Sequence, residues 1–243
     1  MKMDKDQIPS HPSAEMQPSF TILNTSVKVK PEFLANLLAL WAGMTWLSGR
    51  KHPGRNWLVR LLAGALSAIV LIYSDVGHAF AHTISARYAG APMDEIVLSS
   101  GMPRTIYHED HVPPRAHRMR AMGGPIFSAL GLGISLLVRS LVPRNSIARE
   151  VADWSSVGHS LILTGSLAPL PIVDGGSLLK WTLVDRGRTH AQADQIVKQA
   201  GIATGVAATG AGVMFATRRR WLPAVGLIAA GMVAIGAALG KIR

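Results

Sequence analysis

The chain has 243 residues, 49% of them apolar and only 16% charged, with a formal net charge of +11 and no cysteine. An ordinary soluble domain carries about 25% charged residues, so this composition and a mean hydropathy of +0.26 point to a membrane protein with basic loops. Disulfides and thiolate metal sites are excluded, and no basic patch is interleaved with aromatics as in single-strand binders, so nucleic acid is not an expected partner.

Residues 1–32 are polar and contain Pro9, Pro12, Pro18 and Pro31. They lack the apolar core of a secretion signal, and a flexible tail is expected, although "SFTILNTSVKVK" alternates weakly enough for a short strand. Six apolar runs follow, at 33–49, 56–90, 123–142, 155–184, 199–216 and 221–240. They predict an all-α polytopic membrane protein with one membrane-embedded domain over 33–243 and a core over about 56–184. The fourth run is broken by Pro169, Pro171, Gly175 and Gly176. The last two runs are rich in Gly and Ala and are separated by Arg218, Arg219 and Arg220, which predicts a close antiparallel pair. The polar loop 91–122 contains "DEIVLSSGMPRTIYHED", whose alternation around Ile96 and Leu98 and turn near Gly101 predict a short surface β-hairpin. The distribution of Lys and Arg favours the amino terminus in the cytoplasm of a cell (inner) membrane.

His78 and His82 are four residues apart, so on a helix both imidazoles lie on one face and can reach one metal ion. Two hydrated residues at a helix end give the same spacing. Asp174 stands in "PLPIVDGG", where a carboxylate among apolar residues is costly unless it faces a polar interior. The surrounding prolines and glycines free backbone groups that need such an interior too. Two imidazoles and one carboxylate are a usual ligand set of an open catalytic zinc site. Two other groups read more simply. His108 and His111 flank Glu109 and Asp110 in a hydrated loop, and His159 is an interior histidine.

With these motifs the chain resembles the site-2 protease family of intramembrane zinc metalloproteases. The family's HExxH motif reads His78-Ala79-Phe80-Ala81-His82 here, its aspartate motif reads "LAPLPIVDGG", and its Gly-Pro segment reads "GGPIFSALG". The resemblance implies one zinc ion held by His78, His82 and Asp174. It also implies that Gly124, Pro125, Ser128 and Ser166 support substrate or oxyanion, the two serines standing where asparagines are common. The departure that matters is Ala79, which occupies the place of the general-base glutamate.

Three functions are compatible with these residues. One is a metal-binding pseudoprotease that engages transmembrane protein substrates or partner subunits within membrane lipid. Another is a zinc protease that is active through another base, for which Asp75, one turn before Ala79, is the candidate, or an engineered Glu-to-Ala inactive form. The third belongs to another class, a small membrane transporter, since broken helices with a buried carboxylate also occur there.

Overall fold

The computed structural model describes residues 19–108 and 111–242. Seven helices and one small sheet make up these residues. The helices are α1 (Pro31–Lys51), α2 (Trp57–Tyr88), α3 (Pro114–Leu141), α4 (Ile147–Ser166), α5 (Asp174–Asp185), α6 (His190–Thr217) and α7 (Trp221–Ala238). The strands are β1 (Ser19–Ile22), β2 (Thr25–Val29), β3 (Glu95–Leu98) and β4 (Arg104–Ile106).

Among the described residues, four helices are long and apolar enough to cross a membrane: α2, α3, α6 and α7. The six expected spans are therefore not all single apolar helices. The run at 155–184 divides into α4 and α5, because Pro169 and Pro171 cannot continue a helix. In α1 the apolar pattern is diluted by Asn36, Thr45 and Ser48.

Side chains are sorted by size rather than by simple polarity. Leu58, Leu62, Ile69, Tyr73 and Ile84 of α2 point outward, while Ala63, Ser67, Ala68 and Ser74 are buried. Helices in lipid pack this way, with small residues inside so that backbones approach closely. The α6–α7 pair is as close as its composition predicts. A Cβ on Gly231 would overlap the Thr209 side chain and the Gly205 carbonyl.

The sheet has the order β1-β2-β3-β4. β1 and β2 form an antiparallel hairpin closed by Leu23 and Asn24, both at positive φ (49° and 54°), as a two-residue hairpin turn requires. β2 then pairs in parallel with β3, Val27 opposite Ile96. β3 pairs antiparallel with β4, Glu95 opposite Ile106, which is the hairpin expected in the 91–122 loop. The tail reading of 1–32 needs correction over 19–32. Here β1 pairs with β2, β2 pairs with β3, and Pro31 and Glu32 open α1, while residues 1–18 lie outside the described region. Val27, Ile96 and Leu98 bury one face of the sheet against Ala79 and Ala86 of α2, with Met93 beneath. The sheet thus covers the segment of α2 that carries the two histidines.

Candidate metal centre

α2 presents His78 and His82 on one face, one turn apart, and both are buried. α5 brings Asp174 to them. Its approach depends on the loop that precedes it, where the Leu170 N–H donates to Ala168 O at 2.8 Å and the Val173 N–H to Leu170 O at 3.2 Å. These carbonyls press against the first turn of α5. A Cβ on Gly175 would overlap the Leu167 and Ala168 carbonyls, and one on Gly176 the Leu170 carbonyl. The paired glycines let the loop fold under the helix start and aim Asp174 at α2.

Asp174 Oδ2 lies 3.1 Å from His78 Nε2, Asp174 Oδ1 lies 3.3 Å from His82 Nε2, and the two Nε2 atoms are 3.2 Å apart. Tetrahedral zinc with bonds of about 2.0–2.1 Å needs ligand atoms about 3.3 Å apart. The triangle therefore matches three corners of such a site. The three residues offer one ligand atom each and can hold a metal ion.

The opposite ring nitrogens are fixed as well. His82 Nδ1 donates to the Arg120 carbonyl at 2.7 Å, which leaves the Nε2 lone pair directed at the triangle. His78 Nδ1 is 2.9 Å from Ser128 Oγ. Ser128 therefore orients a ring here, where the sequence suggested substrate support. Gly124 also acts on the histidines, since a Cβ there would overlap both Nε2 atoms. Its neighbour Pro125 is buried inside α3.

Ala79 is 3% exposed and packs into the apolar cluster with Val27, Met93 and Ile96. It also borders a small cavity of about 90 Å³, together with Asp75, His78, Ser166 and Asp174. Asp75 shares this cavity but makes no ion pair or hydrogen bond with either histidine. Ser166 is buried, and its hydroxyl donates to Leu163 O at 3.4 Å.

A larger cavity of about 400 Å³ opens on the other side of Asp174, bounded by His82, Thr105, Tyr107, His117, Arg120 and Trp181 among others. His117 stacks on Trp181 with ring centroids 3.6 Å apart, and the Arg120 guanidinium lies 4.4 Å over Tyr107. Burial pushes the Tyr107 hydroxyl pKa up, and the Arg120 charge pulls it partly back. The sequence reading missed this aromatic wall, because Tyr107 just after β4, His117 of α3 and Trp181 of α5 meet only after folding.

The remaining candidates lie elsewhere. His159 is 2% exposed in α4, edge-on to Phe127 at 5.6 Å, and is not part of the triangle. The His108 N–H donates to Asp94 at 2.7 Å. Glu109 and Asp110 lie outside the described residues.

The sequence is 31% identical over 186 residues to a Mycobacterium tuberculosis protein described as "Putative zinc metalloprotease Rip3", in strains H37Rv and Erdman alike. The fold is similar to that of the site-2 protease from Methanocaldococcus jannaschii, with a TM-score of 0.56 and 16% identity over 93% of this chain and 95% of that one. The chain therefore has the fold of a site-2 protease and is related in sequence to a protein described as a zinc metalloprotease. The alignment with the mycobacterial relative takes in 70% of this chain but 47% of the relative, so the chain spans about half of that protein's length. No family model matches the chain. With four apolar helices, this site-2 protease relative is an integral membrane protein.

Proposed function

We propose that this chain is a member of the site-2 protease family and a metal-binding pseudoprotease, holding one zinc ion through His78, His82 and Asp174. The observation that carries the reading is the buried methyl group of Ala79, which borders the same cavity as His78 and Asp174 and packs among Val27, Met93 and Ile96. A zinc ion, when bound, supplies Lewis-acid polarisation and acidifies water. What this chain lacks is a side chain at position 79 that accepts a proton from the attacking water and passes it to the leaving amine. General acid–base help of that kind is worth about 10²- to 10⁴-fold.

Binding does not need that proton carrier. β4 is an edge strand of the sheet, and its Thr105 borders both cavities. An extended segment of a transmembrane protein, substrate-like or a partner subunit, can add to this edge through main-chain hydrogen bonds. The six-span arrangement belongs to the same reading, with α1 and the α4–α5 unit completing the set and the amino terminus cytoplasmic.

The test is zinc content and proteolysis of the detergent-solubilised chain beside Ala79→Glu. The expected result is about one zinc per chain in both, with cleavage of a transmembrane substrate only in Ala79→Glu. Robust, zinc-dependent cutting by the unchanged chain overturns the reading. Such cutting would favour the alternative in which Asp75, which borders the cavity with His78 and Asp174, serves as the base. Asp75→Asn would then abolish it.

A further inference from the structure

A stripe of small and polar residues runs the length of the bundle interior. On α3 it is Gly124, Ser128, Gly131 and Ser135, at helical spacing. Gly124 faces both histidines, Ser128 bonds His78, Gly131 lies against the His159 ring, and Ser135 Oγ is 2.7 Å from Ser155 Oγ of α4. On α2 the matching stripe is Ser67, Ser74, His78 and His82. Gly158 of α4 fits beside Ser74, with a would-be Cβ 3.1 Å from its Oγ. Ser166 of α4 reaches the cavity beside His78, so α2 and α4 run in the same direction. Glu150 lies eight residues before Gly158, about 12 Å further down the axis, beside Ser48 of α1.

At that end sits a second polar cluster. Glu150 is 1% exposed, accepts from Ser48 Oγ at 3.3 Å and pairs with the Arg55 guanidinium, which also donates to Ser48 Oγ at 3.0 Å.

Several hydroxyls along the stripe are satisfied by their own helices. Ser74 donates to Val70 O, Ser135 to Gly131 O and Ser156 to Ala152 O. Three buried atoms are not. Ser67 Oγ, His159 Nδ1 and Glu150 Oε1 have no hydrogen-bond partner among the described residues, although their residues are 0%, 2% and 1% exposed. A buried polar group without a partner costs about 1–3 kcal/mol, and native proteins commonly meet such groups with ordered water. The three fall where the direct bonds are interrupted: His159 between the Ser128–His78 and Ser135–Ser155 pairs, Ser67 on α2 between Ser74 and the far end, and Glu150 at the far end itself.

We propose that the α2–α3–α4 interior holds a file of ordered water joining the histidine cluster to the Glu150 cluster at the opposite end of the bundle. Its ligand is water, and with it the protons that water carries to and from the His78 side of the site. The inference is independent of whether the chain cuts peptides, because it rests on the partnerless atoms and the stripe that connects them.

The chain has no cysteine, so single thiols report without background. Ser67→Cys and Ser135→Cys are compared with Ala68→Cys, a buried apolar position beside Ser67, each in the full chain in lipid nanodiscs. The probe is Ag⁺, and the readout is the thiol left for a fluorescent maleimide after unfolding. A dry interior reacts only on local opening, so positions on a water file are expected to be blocked at least about tenfold faster than Ala68→Cys. Equal rates overturn the proposal. If the cysteine variants do not fold, Ser67→Ala decides. It lowers the thermal midpoint when it removes a water-bridged hydroxyl. An unchanged or raised midpoint, the result for a dry orphan, overturns the proposal.

Discussion

Gly124→Ala is the sharpest probe of the metal centre, because it leaves all three ligands in place and changes only the room they occupy. The added methyl would overlap Nε2 of both His78 and His82. Relief to an ordinary contact of about 3.5 Å requires α3 or the imidazoles to move by about 1 Å. Metal sites hold their ligand distances within about 0.2 Å, so this displacement is roughly five times the tolerance. The ring anchors cannot follow it, since Ser128 and the Arg120 carbonyl are themselves on α3. Zinc affinity is therefore expected to fall by more than the roughly 10- to 100-fold typical of losing one outer-shell partner. Stability is a poorer readout, because about 1–3 kcal/mol of overpacking is offset by up to about 1 kcal/mol of gained helix propensity. The assay is competition with a chromophoric chelator on the purified protein. Gly133→Ala in the same helix is the control, as nothing lies within 4 Å of a Cβ at that position. Equal affinities for Gly124→Ala, Gly133→Ala and the unchanged chain would refute the convergence of the two histidines on one ion.

Three further outcomes follow from the same geometry. Asp174→Asn is expected to abolish stoichiometric zinc, measured by elemental analysis, since it removes the charged member of the triangle. Ser128→Ala keeps the ligand set but frees His78 Nδ1, so zinc remains measurable with affinity lowered about 10- to 100-fold by chelator competition. Glu150→Ala leaves Arg55 without its buried carboxylate and is expected to destabilise the chain by about 3–5 kcal/mol, seen as a lower thermal midpoint, with zinc stoichiometry unchanged because the cluster lies at the other end of the bundle.

What was legible in the sequence follows from what each residue costs. His78, His82 and Asp174 stood out because imidazole and carboxylate groups are expensive within apolar runs. Pro169 and Pro171 before α5, with Gly175 and Gly176 in its first turn, announced a break, and the structure places one there. The supporting groups were hidden for a different reason. The Arg120 carbonyl exists at every residue and carries no side-chain signal. Gly124 acts by having no side chain, which matters only once α3 crosses α2 at that point. The pairing of β2 with β3 bridges residues 26–29 and 95–98 across two helices, and no local pattern encodes so distant a parallel register. For the same reason the weak alternation of 19–30 suggests a strand without saying what it pairs with, and the stretch reads as part of the tail.

The position of Ala79 ties these strands together. The sheet, whose β3–β4 hairpin the sequence announced and whose β2–β3 pairing it did not, supplies Val27 and Ile96, and these pack the Ala79 methyl next to the cavity that His78 and Asp174 border. The contacts that orient the ligands come from Ser128, the Arg120 carbonyl and Gly124, all on α3. Those around position 79 come from β2 and β3. Ligand geometry and the proton carrier thus depend on different neighbours. A chain can keep the first while losing the second, which is the physical argument for the pseudoprotease proposed above.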